Sequence, residues 1–195
     1  MLAAVALSFA LCAFAQEPPR APAPEELMAP WHGVWRGELE LWQRDDVARR
    51  VPMELHVQPR AAGEWTWTLV YGAGAAREER RYALRAKAGG TFEIDEQNGI
   101  VLPLQRFGRR FFSRFAVGGS ELLARYELVG EGALLYEMIS AGGAEAGKTG
   151  GAGEIPEVRT APVNGFQRAL LRRAAERSPQ SEARPSKVEP PAKQG

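Results

Sequence analysis

From Trp31 to residue 175 the chain is a succession of short segments in which apolar and polar side chains alternate. Turn residues interrupt them roughly every 8–12 positions. A period of two puts successive side chains on opposite faces of an extended strand, so each segment must find cover for one face. Residues 51–58 show it most cleanly: Val51, Met53, Leu55 and Val57 fall on one side, and Pro52, Glu54, His56 and Gln58 on the other. In 65–71 the apolar side carries Trp65, Trp67, Leu69 and Tyr71, opposite Thr66 and Thr68. The remaining strands are expected at 34–42, 80–87, 91–95, 100–107, 110–117, 121–129, 134–140 and 163–172.

Glycine-bearing turns separate them, at Gly72-Ala73-Gly74, Gly89-Gly90, Asn98-Gly99, Gly118-Gly119 and Gly130-Glu131-Gly132. Such pairs accept the positive φ that tight hairpins need. Short turns make successive strands neighbours, and a long meander with one apolar face sheds its exposed edges by closing. The expected fold is all-β: a single antiparallel meander barrel of about eight to ten strands over residues 31–175. The final segment, from Gly165 on, also fits a short C-terminal helix. A closing strand is preferred there, because the first strand of a barrel needs a partner.

Residues 1–15 are apolar and uncharged, and Ala13-Phe14-Ala15 has the small-x-small form cut by a signal peptidase before Gln16, although no Lys or Arg precedes the apolar run. The run is shorter than the roughly 20 residues of a membrane helix. The expectation is an exported protein, periplasmic or extracellular, without a transmembrane span once the leader is removed. Cys12 is the one cysteine, and it lies inside that leader. A lipid anchor on Cys12 is the less favoured alternative, since Leu11 stands where a small residue is usual. Removal of the leader leaves no thiol, and so no disulfide, thiolate metal site or cysteine nucleophile. Residues 16–30 carry five prolines and read as an extended linker. Residues 176–195 are rich in Pro, Ser, Ala and Lys, and read as a disordered tail.

Gly33-Val34-Trp35 opens the first strand and resembles the Gly-x-Trp start of lipocalins and their calycin relatives. The resemblance implies a barrel whose Trp plugs one end, with an Arg near the last strand packed across it, a role that falls to Arg168 in this reading. The family's middle motif, Thr-Asp-Tyr, is not present. Trp35-Arg36-Gly37-Glu38-Leu39, Val51-Pro52-Met53-Glu54-Leu55-His56, Trp65-Thr66-Trp67 and Ile94-Asp95-Glu96-Gln97-Asn98-Gly99-Ile100 resemble a group of uncharacterised secreted bacterial proteins of lipocalin-like type. That resemblance implies fold and compartment, and no activity.

Several motifs weigh against chemistry rather than for it. From Gly142 to Thr149 the residues fit the P-loop pattern G-x-x-x-x-G-K-[ST]. A phosphate cradle also needs a helix after it, and Gly150-Gly151-Ala152-Gly153 cannot start one. No nucleotide partner is expected. His32 and His56 are the only histidines, too few for a catalytic zinc site. Asp95-Glu96-Gln97-Asn98-Gly99 lacks the ligand alternation of a calcium loop and reads as a hairpin turn. With 25 Lys and Arg against 24 Asp and Glu, the chain has no nucleic-acid footprint. Arginines at 77, 80, 81 and 85, and at 106, 109, 110 and 114, read as a solvated barrel exterior. Glu38, Glu40 and Glu54 fall on that same outer side, which leaves no carboxylate pair inside for acid–base work. No cofactor is implied, and an enzyme is the least supported class.

The inner face is where function is expected. Its phase places Trp65, Trp67, Tyr71, Tyr82, Phe92, Phe111, Phe115, Tyr126 and Tyr136 inside, with Arg106, Ser113 and Gln167 able to join them. Tyr71, Tyr82, Arg106 and Tyr126 are the candidate polar handles, and Trp65, Trp67, Phe111 and Phe115 the candidate walls. The leading expectation is a non-enzymatic binder of a small apolar or amphipathic molecule. The alternative is an envelope or extracellular interaction module whose barrel is filled by its own side chains. A lumen below roughly 300 Å³ favours that alternative.

Overall fold

The alternating segments become strands in the structure, a computed structural model that describes residues 21–142 and 147–175. The leader, its cleavage site, Cys12, the tail at 176–195 and the middle of the glycine-rich loop lie outside the described residues. The strands are β1 (Gly33–Gln43), β2 (Asp46–Val57), β3 (Pro59–Ala61), β4 (Glu64–Tyr71), β5 (Glu78–Ala86), β6 (Phe92–Asp95), β7 (Val101–Phe107), β8 (Arg110–Val117), β9 (Ser120–Val129), β10 (Ala133–Gly142), β11 (Gly147–Thr149), β12 (Val158–Thr160) and β13 (Val163–Arg173). Each barrel neighbour is antiparallel to the next, in the order β2-β1-β13-β10-β9-β8-β7-β6-β5-β4, and a β2–β4 pairing completes the ring. The result is a closed ten-stranded barrel. The short β3 hangs on the edge of β4, and β11 and β12 form a separate hairpin between β10 and β13.

The closing seam is β1 against β13, in the register Trp35↔Arg173, Leu39↔Ala169 and Trp42↔Phe166. The last segment is therefore a strand through Arg173, and no helix follows it among the described residues. Gly37 makes the seam tight. A Cβ built there would stand 2.5 Å from the Leu170 carbonyl oxygen, so the two backbones approach as only glycine allows.

Residues 24–31 correct the expectation of an extended linker over 16–30. Pro24–Met28 form a short helix, α1, and Ala29–Trp31 continue as a 3₁₀ turn. Proline is well placed at a first helical position, and Glu25 and Glu26 suit the positive end of the helix. Tertiary contact holds so short a piece together. Met28 and Trp31 are buried, and Glu25 Oε1 accepts the Gly63 N–H at 2.9 Å. Trp31 stacks on Phe111 with ring centroids 4.7 Å apart, and so plugs the end of the barrel where β1 begins.

Trp35 lies at this plugged end. Its Nε1–H donates to the Trp31 carbonyl at 2.9 Å, and the Arg173 guanidinium covers its ring at 4.1 Å. Arg173 also donates to the carbonyls of Pro30 and His32. The arginine across the tryptophan is therefore Arg173, not Arg168. Arg168 has the opposite strand parity and points outward, where its partner is Glu137 at 3.8 Å.

Outside, charges pair across strands: Arg36 with Glu54, Arg50 with Glu40, Arg85 with Asp95, Arg110 with Glu127 and Arg125 with Glu137. His56 lies on this outer face, 2.6 Å from Glu54. One outer row differs. Val47, Trp42, Phe166, Ile139 and Leu123 succeed one another across β2, β1, β13, β10 and β9.

The turn at 95–99 closes through its own side chains. Asp95 Oδ1 accepts the Gln97 N–H and Asn98 Oδ1 accepts the Ile100 N–H, with positive φ at Gln97 and Gly99. The P-loop-like stretch ends in strand rather than helix: Lys148 and Thr149 belong to β11, and Lys148 pairs with Glu157.

Candidate functional site

Strand direction separates two ends of the barrel. At the plugged end, Trp65, Trp67, Phe92 and Phe111 pack with Trp31 into an aromatic cluster, and all are buried. At the other end β4 finishes at Tyr71, β8 runs through Ser113 and Phe115, and β9 and β10 carry Tyr126 and Tyr136. An open hollow of about 90 Å³ lies there. Tyr71, Tyr82, Ser113, Phe115, Tyr126 and Tyr136 line it, together with Leu69, Arg80, Ile94, Glu96, Leu102, Ala124 and Met138.

Six of the ten expected site residues thus meet at one place. Trp65, Trp67 and Phe111 point inward but belong to the packed cluster. Arg106 also departs from expectation. It has inward parity, but it lies beside Phe111 at the plugged end, where it donates to the Gly108 carbonyl at 2.7 Å. It is no handle for the hollow. Gln167 pairs with Leu41 and Met138 and does not line the hollow.

The sequence reading puts Arg80 on the solvated exterior and Glu96 in a hairpin turn, yet both line the hollow, and both were within reach of parity. Arg80 is two positions before inward Tyr82, and Glu96 two after inward Ile94. The local richness in arginine masked the first, since Arg77 and Arg81 do lie outside, both paired with Glu79. Arg80 sits over the Tyr71 ring at 5.2 Å while pairing with Glu78 at 2.7 Å.

Register explains the room. Ser113 on β8 faces Ala124 on β9, which faces Met138 on β10. Two small side chains meet across adjacent strands, where rows on either side carry Phe115 or the Phe111–Tyr126–Tyr136 series. Tyr126 and Tyr136 stack with centroids 5.0 Å apart, and Tyr126 meets Trp67 edge-on at 5.1 Å. The floor of the hollow is thus aromatic.

Electrically, the inner part is neutral. Burial, the largest influence, pushes the Tyr71 hydroxyl up to about 12, and drives Tyr126 and Tyr136 further above the usual phenol range. Ser113 Oγ is buried and has no hydrogen-bond partner in the protein. Charge is confined to the rim, on Arg80 and Glu96. Among the described residues no group of three His, Cys, Asp or Glu side chains stands close enough to hold a metal. No helix among them is long and apolar enough to cross a membrane, which leaves the membrane behaviour of the strands open.

A larger surface depression, of about 430 Å³, lies outside the plugged end, lined in part by His32, Arg36, Gln58 and Arg173. Its arginines are already engaged, Arg36 with Glu54 and Arg173 with two carbonyls. Burial, and then Arg173, hold the His32 ring below its ordinary pKa. The hollow is the better site.

No family model matches this chain, and no curated protein matches it. A solved structure does: a protein of unknown function from the DUF3598 family of Nostoc punctiforme. It is 12% identical, with a TM-score of 0.52 over 75% of this chain. The match spans 49% of that protein, so this chain corresponds to about half its length. The likeness supports the barrel fold.

Proposed function

We propose that this protein is an exported, non-enzymatic binder that takes a small amphipathic molecule into the end of the barrel opposite α1. One observation carries the reading: four tyrosines and Ser113 place their hydroxyl-bearing side chains around one hollow. One of them, Ser113 Oγ, is buried without a partner in the protein, and a barrel evolved only to be filled would gain from an apolar side chain there, because such a hydroxyl costs about 1–3 kcal/mol. The lipocalin-like assignment belongs to the same reading. The Trp35–Arg173 stack beside the plugged end supports it, as the Ala13-Phe14-Ala15 leader supports export.

Size limits the ligand. At about 90 Å³ the hollow is well below the roughly 300 Å³ of ordinary ligand sites. It takes one ring or a short chain, with any larger part left at the rim. The same volume favours the second reading, an interaction module with a nearly filled barrel. The apolar outer row from Val47 to Leu123 fits that reading too.

NMR titration of the isotope-labelled chain with benzene and phenol separates the two. Binding shifts the resonances of Tyr71, Ser113, Tyr126 and Tyr136. Unchanged spectra up to saturating probe, with no small molecule retained in native mass spectra from several expression hosts, would leave the filled barrel standing.

A further inference from the structure

The floor of the hollow narrows the ligand class further, on the premise that the hollow is the binding site. Among the polar groups that line it, Ser113 Oγ is buried, on a residue 2% exposed, and has no partner in the protein. Around it the lining is Ala124, Met138, Leu69, Phe115 and the tyrosine rings. A hydroxyl in such surroundings keeps its full demand for one hydrogen bond, because nothing else there satisfies it.

The charge a ligand can bring this deep is set by the same surroundings. The burial that suppresses ionisation of Tyr126 and Tyr136 also penalises a carboxylate or an ammonium placed beside them. Ions are tolerated only at the rim, where Arg80 and Glu96 stand on the solvent side. Arg80 is committed to Glu78 and to the face of Tyr71, so no unpaired cation reaches inward.

We infer that the hollow is selective for the oxygen-bearing end of a compact neutral molecule, a monocyclic phenol, alcohol or ketone, whose single oxygen hydrogen-bonds Ser113 Oγ. The apolar ring lies over Ala124 and Met138 and against Tyr126. Any polar extension of the molecule projects past Tyr82 to the rim.

The test compares three probes of similar shape on the full chain: phenol, benzene and benzoate. Titrations followed by NMR use the native protein and Ser113→Ala. Phenol binds the native protein more tightly than benzene by about three- to tenfold, the effect of one added hydrogen bond. Benzoate binds worst. In Ser113→Ala the advantage of phenol over benzene disappears, while benzene binds as before and thereby shows that the hollow is intact. Equal affinity for phenol and benzene in the native protein, a preference for benzoate, or a phenol advantage that survives in Ser113→Ala would each overturn the inference while leaving the hollow a binding site. Failure of all three probes to bind would instead remove the binding reading itself.

Discussion

Four phenol hydroxyls lie around the hollow, and each titrates later than a free phenol because its phenolate loses hydration there. The consequence for stability has a definite sign. Between pH 10, the ordinary phenol value, and about 12, where Tyr71 titrates in the folded chain, the unfolded chain has released a proton that the folded one retains. Stability is therefore complete below pH 10 and falls as the pH rises, at about 1.4 kcal/mol per pH unit for each tyrosine held back. Urea unfolding across this range is expected to show a plateau and then that decline, with phenolate absorbance appearing together with unfolding. Tyr126→Phe flattens the decline. Phenolate absorbance that rises near pH 10 in a still-folded protein would contradict this. A second contrast at the same scale separates two arginines. Arg173→Met removes a stack on Trp35 and two hydrogen bonds to carbonyls, and is expected to cost about 2–4 kcal/mol. Arg168→Met removes an exposed pair with Glu137 and changes stability by less than about 1 kcal/mol. Equal effects in denaturant titrations would mean that Arg173 does not clamp the plugged end. Parity in the sequence already distinguished these two residues. The last strand, expected at 163–172, runs one residue further, and that residue is Arg173, opposite Trp35.

At the scale of elements, all ten barrel strands were legible, because each turns one face to the core and so keeps a period of two over most of its length. Val51, Met53, Leu55 and Val57 are an example: all but Val51 are fully buried, and Val51 is partly so. What stayed hidden was created by contact at a distance. The helix at Pro24–Met28 is a single turn among prolines, and the burial of Met28 and Trp31 against the barrel decides its conformation. The arm β11–β12 is equally short, with every residue exposed. Strand pairing was the other missing piece. Inward parity marks both Ser113 and Ala124 as small inner residues, but only the β8–β9 register sets them side by side to open the hollow. The seam gives the prediction proper to this scale. Gly37→Ala drives a methyl group into the Leu170 carbonyl and the Leu171 side chain. The expected loss is about 1–3 kcal/mol, the usual result of overpacking, read as a lower urea midpoint with an unchanged slope. A neutral effect would show that β1 and β13 are free to separate at that point.

Taken whole, the molecule is asymmetric from end to end, and the proposed binding function rests on that asymmetry. At one end Trp31, Trp35, Trp67, Phe92 and Phe111 fill the section completely, and Arg173 ties the plug to the last strand. At the other, hydroxyls replace hydrocarbon and the packing stops short. A barrel with two filled ends would be indifferent to the size of the inner side chains at the second end, provided that they fit. A binder is not indifferent, and Ala124 separates the two cases because it lies between Ser113 and Met138 with its methyl group on the hollow. Ala124→Leu adds three carbons, which the space of about 90 Å³ accepts in part. Burying them offsets the strain of a tighter fit at about 0.8 kcal/mol per methylene, so stability is expected to hold within about 1 kcal/mol. Benzene and phenol binding, in contrast, is expected to fall at least tenfold, since the added side chain takes the place of the ring. Titration and urea unfolding of the same variant read both quantities. Unaltered probe affinity would place the ligand elsewhere on the molecule. A large loss of stability would show that the hollow closes in solution and that its walls already touch.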